Sequence, residues 1–359
     1  MAVHFHELKV KNVKKETDQC VSISFDIPED LAHEFKFKEG QNITIKKNIN
    51  GEELRRSYSI CASPDEGELK VAVKKVDGGL FSLYANESLK KGDLLDVLPP
   101  TGKFNAKLTD VDGGRYLAIA SGSGITPVIS IIKHTLKFQP QSSFTLIYGN
   151  RSRGSIIFFE ELEAIKNKYI ERFTLVNILS REKTDIDLHY GRINKEKLQA
   201  LQNLIPYTKF DSIYICGPEE MIFASKHYFE EIGINKSNIH FELFTTPGQG
   251  IKSKPSVTFA DDINKPGAQV SLRLDGRTLE FPLAYHGPSI LDAALQTGAD
   301  LPYACKGGVC ASCRAKLISG EVFMDVNYAL EEEEVAAGFI LTCQAHPVSE
   351  RIEVDFDEK

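Results

Sequence analysis

The sequence predicts a multidomain protein made of three folds in series: an antiparallel β-barrel, an α/β domain with a parallel sheet, and a small α+β domain. The chain has 359 residues, which is enough for two or three domains of ordinary size. Its hydrophobic pattern changes twice along the chain, and four of its seven cysteines crowd into the final segment. These observations predict domains over 1–110, 111–246 and 256–359, with a linker over 247–255.

The first domain is predicted from short alternating segments that are separated by turn residues. Four segments have the pattern of strands, namely QNITIKK, RRSYSIC, ELKVAVKKV and DLLDVLPP. Breakers such as Asn50-Gly51 and Gly78-Gly79 stand between them. Several strands at short spacing with little helix are typical of a small antiparallel barrel.

The second domain is predicted from apolar strands that alternate with helical segments. The strands YLAIAS, FTLIYGN, FTLVNILS and SIYICGP are separated by segments such as PVISIIKHTLK and EEMIFASKHYFEEIG. Because strands buried on both faces are apolar throughout, this order indicates a parallel sheet covered by helices. The stretch from Thr245 to Pro255, TTPGQGIKSKP, is rich in Gly, Pro, Lys and Ser, which predicts an interdomain linker.

The third domain begins with a strong hairpin pattern. Asp275-Gly276 stands between the alternating segments VSLRL and RTLEF, and this dipeptide favours a two-residue turn. PSILDAALQTG predicts a short helix, because Pro288 and Ser289 stand at its start and Gly298 follows its end. A cysteine-rich loop, an acidic helix at LEEEEVAAG and a closing strand IEVDF complete a small α+β domain.

Charge and hydropathy limit the partners of the protein. The net charge of −7 argues against nucleic acid, and no apolar run approaches the roughly 18 residues of a membrane helix. The N-terminus MAVHFHELKVKNV lacks the apolar core of a secretory signal, so we expect a cytoplasmic protein with no membrane partner. From Ser256 onward there are 17 Asp and Glu against 8 Lys and Arg. This excess suits a docking surface for a basic partner, although a solvated acidic face explains the run from Glu331 to Glu334 equally well.

The cysteine spacing is the most specific pattern in the chain. Seven cysteines is an odd number, which excludes a framework of disulfides alone. Cys305-x4-Cys310-x2-Cys313, with Cys343 further on, matches the plant-type [2Fe–2S] spacing. Small residues between the thiols allow backbone N–H groups to point at sulfur. Buried structural cysteines and a zinc site are the alternatives. The segments CKGGVCASCRAK and LTCQAHP make residues 256–359 resemble a plant-type ferredoxin, which implies a β-grasp fold and these four cysteines as cluster ligands.

A flavin site is predicted around the segment RSYS. On a strand, Tyr58 could lie on an isoalloxazine ring, Ser59 could bond a ring heteroatom, and Arg56 could neutralise a pyrophosphate. An ordinary strand with exposed Arg and Ser is the alternative. With VAVKKV and GGLFS, the segment resembles the flavin barrel of the ferredoxin–NADP reductase superfamily. The resemblance implies FAD contacts from Arg56, Ser57, Tyr58, Ser59, Ala72, Val73, Lys74, Gly79, Leu80, Phe81 and Ser82.

A nucleotide-binding turn is predicted at SGSGITP, from Ser121 to Pro127. A strand ends there, the glycines allow the backbone to approach a phosphate, and Pro127 opens a helix. An ordinary strand–helix turn is the alternative, and the segment is not the Rossmann fingerprint. It resembles the nicotinamide loop of the same superfamily, which implies dinucleotide contacts from Gly122, Ser123 and Gly124 and places Thr126 beside the nicotinamide.

Two further segments are expected to complete the hydride-transfer site. The segment CGP begins at Cys216, whose simplest interpretation is a small buried side chain. The resemblance instead places Cys216 near the nicotinamide, with Gly217 and Pro218 leaving room for the dinucleotide. It also places Glu242 at the flavin edge, where the alternative is a surface charge at a strand end. The expected catalytic residues are therefore Tyr58, Ser59, Thr126, Cys216 and Glu242.

The dinucleotide is predicted to be NADPH, with NADH as the alternative. Ser180 and Arg181 follow the strand FTLVNIL, where a hydroxyl and a guanidinium could bind a 2′-phosphate. An ordinary Ser-Arg pair on a surface loop is the alternative interpretation. The same step occurs at the 2′-phosphate site of NADPH-using relatives, and Arg192 is a second candidate.

The three parts together resemble reductases that convert hydride transfer into single-electron transfer. Within the superfamily, the stretch MDVNYALEEEEVAAGFILTCQAHPVS resembles the reductase subunits of phenylacetyl-CoA epoxidases, and related oxygenase reductases are similar. The implied function is NADPH-dependent transfer through FAD and a [2Fe–2S] cluster to an oxygenase. Another acceptor, such as a Rieske or di-iron hydroxylase or a hybrid-cluster protein, is an alternative. A redox sensor that binds flavin and cluster without turnover is a further alternative. The nicotinamide loop disfavours it, because a sensor needs no hydride donor.

Overall fold

The structure, a computed structural model, describes residues 4–104, 112–245 and 267–358. It contains two compact units. One unit comprises Glu7–Leu54 and Tyr58–Leu243, and the other is formed chiefly by Phe244–Lys359. The predicted linker over 247–255 and the predicted boundary at 110–111 lie outside the described residues, so these boundaries remain predictions.

The barrel domain contains a six-stranded sheet in the order β4-β3-β6-β1-β2-β5. An isolated bridge between Ile60 and Val71 joins the chain just after β4 to β5, and this bridge brings the two edges of the sheet together. The strands β1 and β2 were not among the predicted ones. In β1 a register shift between Val10 and Asn12 interrupts the alternation, whereas β2 alternates regularly as VSISF and sequence reasoning missed it. The elements are β1 (His6–Thr17), β2 (Cys20–Asp26), β3 (Asn42–Ile49), β4 (Glu52–Ser59), β5 (Leu69–Lys74), α1 (Leu80–Glu87) and β6 (Leu94–Thr101).

The nucleotide domain is a five-stranded parallel sheet in the order β11-β10-β7-β8-β9. The helix predicted to open at Pro127 begins two residues earlier, at Ile125, and proline in a first turn loses no hydrogen bond. No helix within the described ranges is long and apolar enough to span a membrane. The elements are β7 (Arg115–Ser121), α2 (Ile125–Phe138), β8 (Ser143–Asn150), α3 (Phe159–Lys168), β9 (Phe173–Leu179), α4 (Lys195–Leu201), β10 (Ser212–Cys216), α5 (Glu219–Glu231) and β11 (Ile239–Glu242).

Helix α2 joins the barrel to the parallel sheet within the first unit through polar contacts. Ser130 Oγ donates to the carbonyl of Ala62 at 2.6 Å. The Lys133 side chain is only 8% exposed; its Nζ lies 3.0 Å from Glu66 Oε1 and also pairs with Glu161. A buried ammonium between two carboxylates therefore ties together the barrel turn, α2 and α3.

The second unit holds a mixed five-stranded sheet in the order β13-β12-β18-β14-β16 and a two-stranded ribbon of β15 and β17. The predicted hairpin is confirmed: Asp275 and Gly276 both have positive φ, and both backbone N–H groups donate to the Asp357 carboxylate. The predicted helix is also confirmed, with Ser289 as its N-cap. The elements are β12 (Gly267–Leu274), β13 (Arg277–Ala284), α6 (Ile290–Gln296), β14 (Arg314–Ser319), β15 (Val322–Met324), α7 (Glu332–Ala336), β16 (Phe339–Leu341), β17 (Ala345–Pro347) and β18 (Arg351–Asp355).

Candidate active site and metal centre

The predicted nucleotide turn is a single 3-10 turn over Gly122–Gly124 between β7 and α2. The Tyr148 hydroxyl donates to the carbonyl of Gly122 at 2.9 Å. Thr126 is 3% exposed, and its Oγ1 donates to the carbonyl of Ser123 at 3.0 Å. The threonine hydroxyl therefore stabilises the turn itself, and its proximity to a nicotinamide remains a prediction.

The turn packs directly against the end of β10. A Cβ on Gly124 would stand 2.0 Å from the carbonyl oxygen of Cys216, which is closer than any real contact. A Cβ on Gly217 would lie 3.1 Å from Cβ of Ser121. Only glycine fits at position 124, and Gly217 is also tightly packed, so the SGSG and CGP segments meet closely at the carboxyl edge of the sheet, where parallel sheets bind ligands.

Gly124→Ala is expected to displace the turn and raise the KM for the nicotinamide dinucleotide. Overpacking against backbone costs about 1–3 kcal/mol, so we expect a KM increase of about 10-fold or more together with a lower melting temperature. Steady-state kinetics with ferricyanide and a thermal scan measure both effects. Gly154→Ala is the matched control, since no atom lies within 4 Å of its added Cβ. Equal KM values for both variants would contradict the packing argument.

Three of the predicted catalytic residues lie together in the first unit. Ser59 Oγ donates to Glu242 Oε2 at 3.0 Å, and Glu242 is the register partner of Cys216 on the neighbouring strand. Burial, and then the nearby Glu242 carboxylate, raise the pKa of the Cys216 thiol well above its usual value. Cys216 therefore presents a neutral thiol rather than a nucleophilic thiolate at this site.

The RSYS segment lies at the end of β4, beside the start of α1. The Tyr58 ring packs against Phe81 with ring centroids 5.6 Å apart, and Arg56 is exposed and donates to the carbonyl of Arg55 at 2.8 Å. Ser82 Oγ accepts from Val76 N and donates to the carbonyl of Gly79.

The segment GGLFS can bind a ligand through its backbone N–H groups rather than through the Ser82 hydroxyl. Phe81 is 2% exposed within the barrel core, and the Ser82 hydroxyl is engaged in the turn before α1. Ala72 and Val73 are likewise buried in β5. The N–H groups of the first helical turn have no partner within the helix, so they are the donors that a flavin phosphate could use.

Lys74, the last residue of β5, lies beside the predicted nucleotide turn. Its Nζ lies 3.1 Å from the position of a Cβ on Gly122. Burial and the charge of Arg151 lower the pKa of Lys74. No carboxylate pairs with Lys74 among the residues that the structure describes. Two neighbouring cations at a glycine turn fit an anionic group, such as the phosphate of a dinucleotide. Sequence reasoning missed Arg151, although its place after an apolar strand of a parallel sheet was a usable signal.

The predicted 2′-phosphate residues are also brought together. Ser180 N donates to the carbonyl of Asn150, and Arg181 N donates to the carbonyl of Arg151. Gly191 N donates to the carbonyl of Leu179, which brings the segment with Arg192 beside the end of β9. The side chains of Arg151, Arg181 and Arg192 are all exposed on loops at one edge of the sheet, where a phosphate could reach them.

The cysteine loop is folded so that its backbone faces sulfur. Gly307 N donates to Cys305 Sγ at 3.3 Å, and Cys305 N donates to Cys310 Sγ at 3.4 Å. Lys306 and Ala311 both have positive φ, which non-glycine residues rarely adopt. Such a conformation turns successive N–H groups inward, as expected for a loop that stabilises negative charge on sulfur.

The four thiols form two neighbouring pairs. Cys305 lies within hydrogen-bonding distance of Cys310, and Cys313 lies within the same distance of Cys343; a contact between Cys305 and Cys343 links the pairs. All but Cys305 are buried. No three His, Cys, Asp or Glu side chains in the described ranges are arranged to hold a single metal ion. Four thiols gathered in this way fit the ligand set of a [2Fe–2S] cluster.

Three family models match successive parts of the chain. They are the oxidoreductase FAD-binding domain over residues 7–106, the oxidoreductase NAD-binding domain over 118–227, and the 2Fe-2S iron-sulfur cluster binding domain over 272–348. The chain is 47% identical over 356 residues to a subunit of the 1,2-phenylacetyl-CoA epoxidase of Escherichia coli (strain K12), with 99% of this chain and 98% of that protein covered. The chain belongs to the ferredoxin–NADP reductase superfamily, with a C-terminal [2Fe–2S] domain.

Other similar proteins agree with this assignment. The reductase is 32% identical over 354 residues to the 3-ketosteroid-9-alpha-monooxygenase ferredoxin reductase component of Rhodococcus rhodochrous, with 97% of this chain and 96% of that protein covered. The fold matches that of phthalate dioxygenase reductase over 98% of both chains, with a TM-score of 0.58 and 23% identity. The predicted fold class and the predicted FAD, nicotinamide dinucleotide and [2Fe–2S] cofactors are thereby confirmed.

Proposed function

We propose that this reductase takes hydride from NADPH and delivers single electrons, through its [2Fe–2S] domain, to the other subunits of a phenylacetyl-CoA epoxidase in phenylacetate catabolism. One observation carries the proposal: a single chain unites a nucleotide turn, a flavin barrel and two thiol pairs. The 47% identity to the E. coli epoxidase protein over almost the whole chain supports this acceptor.

The residues of the first unit would bind and orient the two reacting rings. FAD can accept two electrons as a hydride and release them one at a time. The Ser59 hydroxyl donates to Glu242 at 3.0 Å, which orients it toward the end of β11. Glu242 can accept or return a proton through that hydroxyl, while the neutral Cys216 thiol fills the nicotinamide side without reacting. Gly124 allows the nucleotide turn to pack directly against Cys216 and Gly217.

The residues of the second unit would hold the cluster. The four thiols would bind the cluster, and the N–H groups of Cys305 and Gly307 would stabilise negative charge on sulfur. Gln344 Nε2 donates to the carbonyl of Lys306 at 3.0 Å, so it holds the distant Cys343 segment against the loop.

We propose a preference for NADPH that depends on Ser180, Arg181 and Arg192. A guanidinium bound to a 2′-phosphate contributes about 1.5–3 kcal/mol, so Arg181→Gln is expected to lower kcat/KM for NADPH by about 10- to 100-fold. NADH lacks this phosphate, and kcat/KM for NADH should stay within about 2-fold. Parallel kinetics with both dinucleotides measure the difference. A wild-type enzyme that uses NADH as well as NADPH would contradict this preference.

An anaerobic titration tests the function itself. We expect the visible bands of flavin and cluster to bleach on addition of NADPH, and product formation to follow when the other E. coli epoxidase subunits, phenylacetyl-CoA and oxygen are supplied. Bleaching without product would favour another oxygenase or a hybrid-cluster protein. Absence of turnover with every acceptor would favour a redox sensor.

We also propose a cytoplasmic location. All seven cysteines are free in the structure, and a cluster built on thiols needs a reducing compartment. Fractionation of the host cells, with the [2Fe–2S] absorbance followed in the soluble fraction, tests the location.

A further inference from the structure

The ribbon formed by β15 and β17 exposes apolar side chains on one face. Phe323 pairs with His346 across the ribbon, and the alternating residue Ala345 is fully buried. Phe323 is 60% exposed, and Val348, just beyond β17, is 54% exposed. Because Val348 is two residues from His346, it is the diagonal neighbour of Phe323 on the same face. The strand alternation thus places two apolar groups in water where polar ones would be usual.

Carboxylates border this apolar pair: Glu321 is exposed, and the carboxylate of Asp325 lies 3.3 Å from His346 Nε2 of the same face. Glu321 and Asp325 each lie two residues from Phe323, and so lie on its face of the ribbon. The ladder continues past both strand ends, because Val348 N donates to the carbonyl of Glu321 and Asp325 N donates to the carbonyl of Gln344. We call the face formed by Glu321, Phe323, Asp325, His346 and Val348 the outer ribbon face.

The outer ribbon face is directly connected to a cluster ligand. Gln344 lies between Cys343 and β17, and its backbone carbonyl accepts from Asp325 N. Its Nε2 lies 3.5 Å from Cys343 Sγ. A partner seated on this face would therefore approach Cys343 through Gln344, which favours a short path for an electron.

We propose that the outer ribbon face is the docking surface for the electron acceptor. This inference rests on the proposed function, and it commits to a protein partner that presents an apolar recess bordered by Lys or Arg. Two features favour this partner. Phe323 is exposed at the centre of the face and can act as an anchor that loses its water in an apolar recess. The neighbouring carboxylates and the acidic excess of the C-terminal domain attract a basic rim. Charge guides the encounter, and the apolar pair sets the lifetime of the complex.

A rapid-mixing experiment tests the surface without relying on NADPH. Full-length protein is reduced with dithionite, freed of excess reductant and mixed with cytochrome c, a basic haem protein. Phe323→Ser is expected to lower the second-order rate of cytochrome c reduction by about 10-fold or more at low ionic strength. Glu321→Gln is expected to lower it by a few-fold at low salt and not at high salt. The direct flavin contribution is measured in Cys305→Ser and subtracted.

Control variants distinguish a loss of docking from a loss of the cluster or of the fold. Phe138→Ser removes a phenylalanine that is 52% exposed in the nucleotide domain, and it should leave the rate unchanged. The cluster spectrum and the reduction of ferricyanide should be the same in Phe323→Ser and wild type. An unchanged cytochrome c rate in Phe323→Ser would overturn the proposal, as would a salt dependence that Glu321→Gln does not alter. Failure of NADPH to reduce the protein would overturn the proposed function and leave this rate measurable.

Discussion

Cys305→Ser is expected to remove the cluster while leaving reduction of the flavin by NADPH intact. Cys305 links the two thiol pairs, since its thiol lies within hydrogen-bonding distance of both Cys310 and Cys343. A hydroxyl is a much weaker iron ligand than a thiolate. Iron should fall from about two atoms per chain to near zero, and reduction of a protein acceptor should fall by about 100-fold or more. Iron analysis and ferricyanide kinetics on the same samples distinguish the two activities.

Cys61→Ser is the matched control for the loss of a thiol. Cys61 is fully buried in the first unit, and its Sγ donates to the carbonyl of Lys70 at 3.3 Å. A serine hydroxyl can keep that hydrogen bond, so iron content and electron transfer should be unchanged. A Cys305→Ser protein that retains its full iron content would show that these cysteines do not hold the cluster.

Lys133→Met is expected to cause a large loss of stability in the first unit. The Lys133 ammonium is almost fully buried and pairs with Glu66 and Glu161, which are each about one-third exposed. Removal of the cation leaves two carboxylates facing each other with part of their solvation lost. Breaking a buried pair costs about 3–5 kcal/mol, and the partial exposure of both carboxylates reduces the expected cost to about 2–4 kcal/mol. Thermal unfolding, followed by flavin fluorescence, should show a fall of roughly 5–15 °C.

Lys137→Met provides a control one helical turn away. Lys137 also pairs with a carboxylate of the barrel, Asp65, but its side chain is 52% exposed, so its loss should change the melting temperature little. Adding Glu66→Gln and Glu161→Gln to Lys133→Met should restore part of the lost stability, because the uncompensated charges are removed. Equal melting temperatures for the two lysine variants would refute a special role for the buried ammonium.

Local chemistry explains why much of the architecture could be predicted. The Asp275-Gly276 turn needs only two adjacent residues that adopt positive φ, and the helix after Ser289 needs only a nearby cap. The cysteine spacing likewise places three thiols on one short loop, whatever surrounds it. The strand β1 is harder to predict, because a register shift between Val10 and Asn12 interrupts the alternation of its lysine-rich sequence.

The roles of individual side chains were less predictable. Thr126 has the position of a ligand contact in sequence, yet its hydroxyl bonds the carbonyl three residues earlier and stabilises the turn. The run from Glu331 to Glu334 has the pattern of a solvated face, yet Glu334 is buried and its Oε1 lies 3.2 Å from Arg314 Nε. Such outcomes depend on which rotamer the surrounding packing permits, and a sequence pattern does not contain that information.

The sequence by itself determined the three folds, because periodicity and turn residues act over short distances along the chain. Its cysteine spacing predicted the four cluster ligands, and its resemblance to the reductase superfamily implied the FAD and dinucleotide sites. Only the tertiary structure decided which distant groups meet. Ser59 reaches Glu242 across 183 positions, Lys133 joins two domains, and Lys74 faces Gly122. The tertiary structure also decided that Phe323 points into water. These contacts arise when whole elements pack to bury apolar area and pair charges, so they depend on the entire fold rather than on any one segment.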